Sequence, residues 1–159
     1  MKPCYRVGLS LLLLVASACG NNETPATQKE DIFKKYLRTR FNKSFKAGHT
    51  YIVIPELGCG SCSTNALRYI AQKGYCLNTS LVVSRSIKRI SAAEAKAMGR
   101  AVEEIIADTT FDGINTLDRL QLPFNSFTEI VESRQDTVLY TAFDNTNYET
   151  VLDRISCRK

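Results

Sequence analysis

Apolar residues occur along this chain in two patterns, at helical spacing in some segments and as short continuous runs in others. Helical spacing predicts amphipathic helices at residues 29–38, 63–73, 92–107 and 148–155. Runs rich in β-branched and aromatic residues predict strands at residues 51–54, 81–83, 127–132 and 137–143. The first two strands are apolar throughout, as is typical of strands buried on both faces. A further short edge strand is expected at residues 41–45.

The order of these elements predicts an α/β fold. Strands separated by helices pair in parallel, with crossover helices expected on both faces of the sheet, and the last two strands add an antiparallel hairpin. The expected architecture is a three-layer sandwich with a central mixed sheet and a terminal β-hairpin plus helix. Residues 29–159 are enough for one domain with one core.

Residues 1–18 have the anatomy of an export signal. Lys2 and Arg6 precede an apolar stretch at residues 7–15 that is too short to span a bilayer as a mature helix. The Ala-Ser-Ala-Cys sequence that ends at Cys19 resembles the bacterial lipobox. That resemblance implies a lipoprotein signal peptide, cleavage before Cys19 and acylation of Cys19. The alternative is an ordinary secretory signal, with Cys19 left as a free thiol.

Residues 19–28 are polar after Cys19 and are expected to form a flexible tether between the lipid and the domain. The expected location is the bacterial cell envelope, lipid-anchored, with the domain facing the periplasm or the cell surface. Gly20 favours the outer membrane, because enterobacterial lipoproteins kept at the inner membrane carry Asp there. The formal net charge of +5 is mild, and without a known basic motif nucleic acid is not an expected partner.

The six cysteines fall into different classes by position. Cys4 is removed with the signal and Cys19 carries the lipid, so four remain in the domain: Cys59, Cys62, Cys76 and Cys157. An even number of cysteines in an exported protein favours disulfides over metal. A four-cysteine zinc site is the weaker alternative, because Cys76 and Cys157 are about eighty residues apart. No metal and no other cofactor is expected.

Cys59 and Cys62 stand three positions apart where the first buried strand gives way to a helix. Two thiols at this spacing can close into a disulfide and reopen. Backbone amides at a helix start favour a thiolate over a thiol. The pair therefore points to thiol–disulfide exchange, with Gly60 and Ser61 forming the turn between the two cysteines.

The order of elements, with this motif at the start of the helix after the first buried strand, resembles the thioredoxin fold. It is most similar to the membrane-anchored thioredoxin-like lipoproteins of Bacteroidota, over residues 48–155. The resemblance implies that Cys59 is the exposed nucleophile and Cys62 the buried resolving thiol. It also implies a proline facing the cysteines in cis, for which Pro123 is the candidate.

Three positions depart from the thioredoxin pattern. Gly58 and Ser61 replace the tryptophan and the proline of the motif, and Val53 stands where the family has a buried acid. Glu56 is the candidate substitute for that acid in proton transfer. In this fold the helix after Cys59 and the last helix share one face and run in the same direction, which implies a structural disulfide between Cys76 and Cys157.

The expected function is that of a membrane-anchored thiol–disulfide oxidoreductase acting on exported protein or small-molecule disulfides through Cys59 and Cys62. The alternative is a non-catalytic thioredoxin-like binding lipoprotein in which the bonds are structural. The departures at Gly58, Ser61 and Val53 favour that alternative. His49, the sole histidine, is expected at the surface rather than as a catalytic base.

Overall fold

The computed structural model describes residues 25–55, 60–75, 78–83, 90–108, 128–135 and 137–157. The elements in these residues are helices α1 (Pro25–Phe41), α2 (Gly60–Gln72), α3 (Ala92–Ala101) and α4 (Tyr148–Ile155), and strands β1 (Thr50–Ile54), β2 (Thr79–Val83), β3 (Glu104–Ala107), β4 (Thr128–Ser133) and β5 (Val138–Phe143). None of the described helices is long and apolar enough to cross a membrane.

The described strands form one mixed sheet in the order β3-β2-β1-β4-β5. Strands β1, β2 and β3 are parallel, whereas β4 pairs antiparallel with both β1 and β5. Val53 on the central strand lies between Val82 of β2 and Glu129 of β4. The predicted α/β class, the mixed sheet and the terminal hairpin followed by a helix are therefore confirmed.

The two faces of the sheet bury two separate hydrophobic clusters, since alternate residues of a strand point to opposite faces. Ile52 and Ile54 of β1 pack into a cluster with α2, α3 and α4. Tyr51 and Val53 pack into a cluster with α1. The result is a three-layer arrangement with α1 on one face of the sheet and the other described helices on the opposite face.

The two described crossover helices lie on one face of the sheet and not on both faces as predicted. Both crossovers, β1-α2-β2 and β2-α3-β3, advance across the sheet in the same direction. Because such connections are right-handed, two that advance in the same direction place their helices on the same face.

The third helix is shorter than predicted, and a strand follows it. Ser91 caps α3 with the predicted capping box, in which the Ser91 hydroxyl and the Glu94 carboxylate each accept from the backbone amide of the other residue. The helix ends at Ala101, and Val102 has extended backbone angles (φ −126°, ψ 161°). Residues 104–107 then pair with β2 as an edge strand.

The first helix is longer than predicted, and the segment directly after it is not a strand. Helix α1 begins at Pro25, inside the expected tether, and runs to Phe41. Asn42 adopts a left-handed conformation (φ 53°) and donates its amide to the Arg38 carbonyl, which ends the helix. The strand expected at residues 41–45 is therefore absent, and Phe45 instead packs against the α1 cluster.

Polar contacts attach α1 to the sheet at both ends of the helix. Near its start, Lys29 Nζ lies 2.5 Å from Glu129 Oε1 on β4. Near its end, the Tyr36 hydroxyl donates to Asp108 Oδ2 at 3.2 Å, and Arg40 Nε lies 3.5 Å from Asp108 Oδ1. Both carboxylates are buried, so each depends on these partners to offset the cost of desolvation.

Candidate functional site

The start of α2 lies at the carboxyl end of the central strand. Strand β1 ends at Ile54, and α2 begins at Gly60. The buried Ser63 hydroxyl donates to the Pro55 carbonyl at 3.5 Å, which joins the first helical turn to the end of the strand. Cys62 therefore belongs to the first turn of a helix that starts at the carboxyl end of the central strand.

The first turn of α2 contains no acidic residue. The unpaired amides of a helix start carry a partial positive charge, which stabilises an anion placed against them. An anion close to such a helix start gains that stabilisation, and a thiolate is one such anion. The local electrostatics therefore suit the chemistry expected of the two-thiol motif.

The turn that precedes α4 contacts the start of α2. The exposed Ser61 hydroxyl accepts a hydrogen bond from Asn145 Nδ2 at 3.2 Å. Asp144 holds this turn by accepting at Oδ1 from the backbone amide and the hydroxyl of Thr146 at 2.7 and 2.6 Å. These bonds hold the pKa of Asp144 below its usual value. Asn145 is thus a neighbour of the site that the sequence did not single out.

Helices α2 and α4 lie side by side and run in the same direction, as predicted. Their starts meet through Ser61, and further along the Tyr69 hydroxyl donates to Asp153 Oδ1 at 2.8 Å. Beyond their ends, Tyr75 and Ser156 form an isolated antiparallel bridge. The chain just after α2 therefore lies beside the chain just after α4.

Cys157 is disulfide-bonded. Cys76 lies outside the described residues, so the predicted pairing of Cys157 with Cys76 stays a prediction. Several other predicted positions lie outside the described residues altogether, namely Cys19, Glu56, Cys59, Cys76 and Pro123. Of the predicted active-site turn, Gly60 and Ser61 form the first residues of α2.

Glu129 is a buried acid that sequence reasoning missed. It lies directly opposite Val53, the position where the thioredoxin pattern has an acid. Burial raises the pKa of Glu129, and the ammonium of Lys29 opposes that shift. The side chain lies on the α1 face, however, whereas α2 packs on the other face. Glu129 therefore attaches α1 to the sheet. Because residues two positions apart on a strand point to the same face, the apolar Val131 was the sequence signal that could have placed Glu129 on a buried face.

His49 is buried, so its predicted surface position is wrong. Its Nε2 lies 2.8 Å from the Ser80 hydroxyl, and its ring lies against Tyr51 with centroids 4.8 Å apart. Burial lowers the pKa of His49, and the nearby Lys46 cation lowers it further. The histidine lies next to the amino end of β1, at the opposite end of the strand from α2.

The described residues contain no group of three or more metal-ligating side chains. No family model, no curated protein and no solved structure matches the chain. The assignment of function therefore depends on the residues and geometry of this chain alone.

Proposed function

We propose that this protein is a lipid-anchored thiol–disulfide oxidoreductase of the bacterial cell envelope with a thioredoxin-like domain. Its substrates are disulfides of exported proteins or small molecules, and Cys59 and Cys62 carry the reaction. The observation that supports this most is the position of the first turn of α2. That turn contains Cys62, follows Cys59 directly in the chain and stands at the carboxyl end of the central strand.

The sheet and the helix placement support the thioredoxin-like part of the proposal. A central strand flanked by one parallel and one antiparallel neighbour, and a final helix packed beside α2, are what the resemblance implies. Two features depart from the expectation: the extra edge strand β3 changes the element order, and α3 packs beside α2 on the same face of the sheet. Neither departure affects the junction of β1 and α2, where Cys59 precedes the helix and Cys62 belongs to its first turn.

The proposed reaction is two successive thiol–disulfide exchanges. The Cys59 thiolate attacks one sulfur of the substrate disulfide, a mixed disulfide forms, and the other substrate sulfur leaves as a thiolate that takes up a proton. The deprotonated Cys62 sulfur then attacks Cys59, which releases the second substrate thiol and leaves a Cys59–Cys62 disulfide. The substrate gains the two electrons that the cysteine pair loses, and a thiol donor must reduce the pair again.

Ser61 and Asn145 are the proposed contact surface for the substrate. Both are exposed, and they are joined by a hydrogen bond beside Cys62. Neither residue carries charge, so a substrate would be recognised here through hydrogen bonds to its backbone around the disulfide.

The proposal is tested by comparing the wild type with Cys59→Ser and Cys62→Ser in reduction of a disulfide-bonded model protein. We expect Cys59→Ser to lose the rate and Cys62→Ser to accumulate a mixed disulfide with the substrate, visible by mass spectrometry. Equal slow rates for the wild type and Cys59→Ser would refute the proposal. The matched control is Ser44→Ala, an exposed serine outside the proposed substrate surface, which keeps both thiols.

The reduction potential of the pair discriminates against the binding-protein alternative. A potential of about −270 mV or higher is typical of exchange proteins, whereas structural bonds lie below about −300 mV. A value in the second range, together with an inactive wild type, would assign a static bond and a non-catalytic binding function.

A further inference from the structure

The outer face of α1 is basic. Lys34, Lys35 and Arg38 are exposed, whereas Phe33 and Leu37 on the opposite side of the helix are buried against the sheet. Residues separated by one, three and four positions lie within a third of a turn or so of one another on a helix. The three cations therefore form one surface that points away from the core.

Among the helices that the structure describes, α1 carries most of the net positive charge. Helix α1 contains five basic and two acidic residues, a net charge of +3. Helices α2, α3 and α4 together contain four basic and three acidic residues, a net charge of +1. The described helices on the two faces of the sheet therefore differ in net charge.

Within the described part of the chain, some of the basic side chains of α1 pair with acidic side chains and others do not. Lys29 and Arg40 lie next to buried carboxylates on the sheet side, and Lys34 pairs with an acid one turn earlier on its own helix. Lys35 and Arg38 have no acidic partner among the residues that the structure describes. They are therefore available to an external anion.

An open groove of about 500 Å³ runs along this surface, between α1 and the segment that follows it. Lys34, Lys35, Arg38 and Lys43 line it, together with one acid, Asp31, and Lys43 also pairs with Glu104 on β3. Ammonium groups bind phosphate as point charges and a guanidinium binds it through two parallel hydrogen bonds. The groove therefore matches a surface of closely spaced phosphates.

The start of α1 also follows closely on the proposed lipid anchor. Pro25 is six positions after Cys19, a distance that an extended chain covers in at most about 22 Å. Helix α1 itself is 17 residues long, or about 25 Å. If Cys19 is acylated, α1 is held within reach of the lipid headgroups.

We propose that the surface formed by Lys34, Lys35 and Arg38 docks on the anionic phospholipid headgroups of the membrane that carries the protein. The proximity part of this proposal rests on the proposed acylation of Cys19, whereas the charge match does not. Docking through α1 turns the opposite layer, with the start of α2, away from the bilayer. The cysteine pair would then face soluble exported substrates.

The test measures lysine reactivity on the full chain, purified from membranes and reconstituted into vesicles. One set of vesicles is pure phosphatidylcholine and the other also contains phosphatidylglycerol. A soluble acetylating reagent is applied, and acetylation of Lys34 and Lys35 is compared by mass spectrometry with that of Lys96. Lys96 is exposed on α3, on the opposite face of the sheet, and is the internal control.

We expect Lys34 and Lys35 to react at least about fivefold more slowly on phosphatidylglycerol vesicles, since each basic group near an anionic surface strengthens binding by about that factor. High salt should abolish the protection. The variant Lys35→Gln/Arg38→Gln should lose protection of Lys34, whereas Lys96→Gln/Arg100→Gln, with the same change in charge, should keep it.

Equal reactivity on both vesicles, or equal protection of Lys96, would overturn the docking surface. The lipid anchor is tested separately, by measuring whether the protein stays bound to phosphatidylcholine vesicles in high salt. A protein that leaves those vesicles but still shows salt-sensitive protection on phosphatidylglycerol refutes the acylation and supports the docking surface. Neither measurement depends on the redox activity of Cys59, so a failure of the proposed oxidoreductase function would leave both results unchanged.

Discussion

Removal of Cys157 tests how the ends of α2 and α4 are joined. Cys157 is disulfide-bonded, and its neighbour Ser156 pairs with Tyr75, the residue before Cys76. We therefore predict that Cys76 is the partner of Cys157. A bond between them would close a loop of about eighty residues, for which chain entropy gives a stabilisation of about 4 kcal/mol.

That free energy is a large part of the 5–15 kcal/mol that holds a typical domain folded. We expect Cys157→Ala to lower the unfolding midpoint by about 12 °C, since about 1 kcal/mol shifts a domain of this size by about 3 °C. Thermal and urea unfolding under non-reducing conditions measure the loss. With excess dithiothreitol the difference between the wild type and the variant should disappear.

Cys76→Ala and the double variant provide the matched controls. If the two cysteines are partners, Cys76→Ala, Cys157→Ala and Cys76→Ala/Cys157→Ala all lose the same stability, because each removes the same bond. A Cys76→Ala protein as stable as the wild type, beside a destabilised Cys157→Ala, would refute the pairing. Peptide mapping without reduction would then identify the thiol that holds Cys157.

Three further predictions concern the polar groups of the core and one helix cap. Because the pKa of His49 is lowered in the fold, the unfolded chain binds its proton more readily. Stability should therefore fall as the pH drops below about 6.5, and urea midpoints of His49→Gln should show less of this fall; parallel pH profiles would contradict it. Lys29→Met should cost about 3 kcal/mol by leaving the Glu129 carboxylate unpaired, and adding Glu129→Gln should restore part of it in the same unfolding assay; no recovery would refute the pair. Ser91→Ala should cost about 1 kcal/mol by removing the cap of α3, which a urea midpoint equal to that of the wild type would exclude.

Local sequence patterns predicted the structure correctly where the residues suit only one type of secondary structure. Strands β1 and β2 were recognised because their apolar, β-branched runs are too short for buried helices. The cap of α3 was recognised because Ser91 and Glu94 stand at the spacing of a capping box. The strand-to-helix position of Cys59 and Cys62 followed from the same local signals.

Predictions from local sequence patterns failed where contacts with residues far along the chain determine which of two structures forms. Ile105 and Ile106 suit a helix or a strand, and hydrogen bonds to β2 make them a strand. Glu129 and His49 are polar, and only the layers packed against them make them buried.

The position of a cysteine pair at a strand-to-helix junction and the α/β order of elements were readable from the order of residues, because spacing and periodicity are local properties. The face on which each helix packs, the proximity of Tyr75 to Ser156 and the separation of charge between α1 and the other helices were decided in three dimensions. These features depend on right-handed crossovers, strand pairing and burial, each of which joins residues that are distant in the chain.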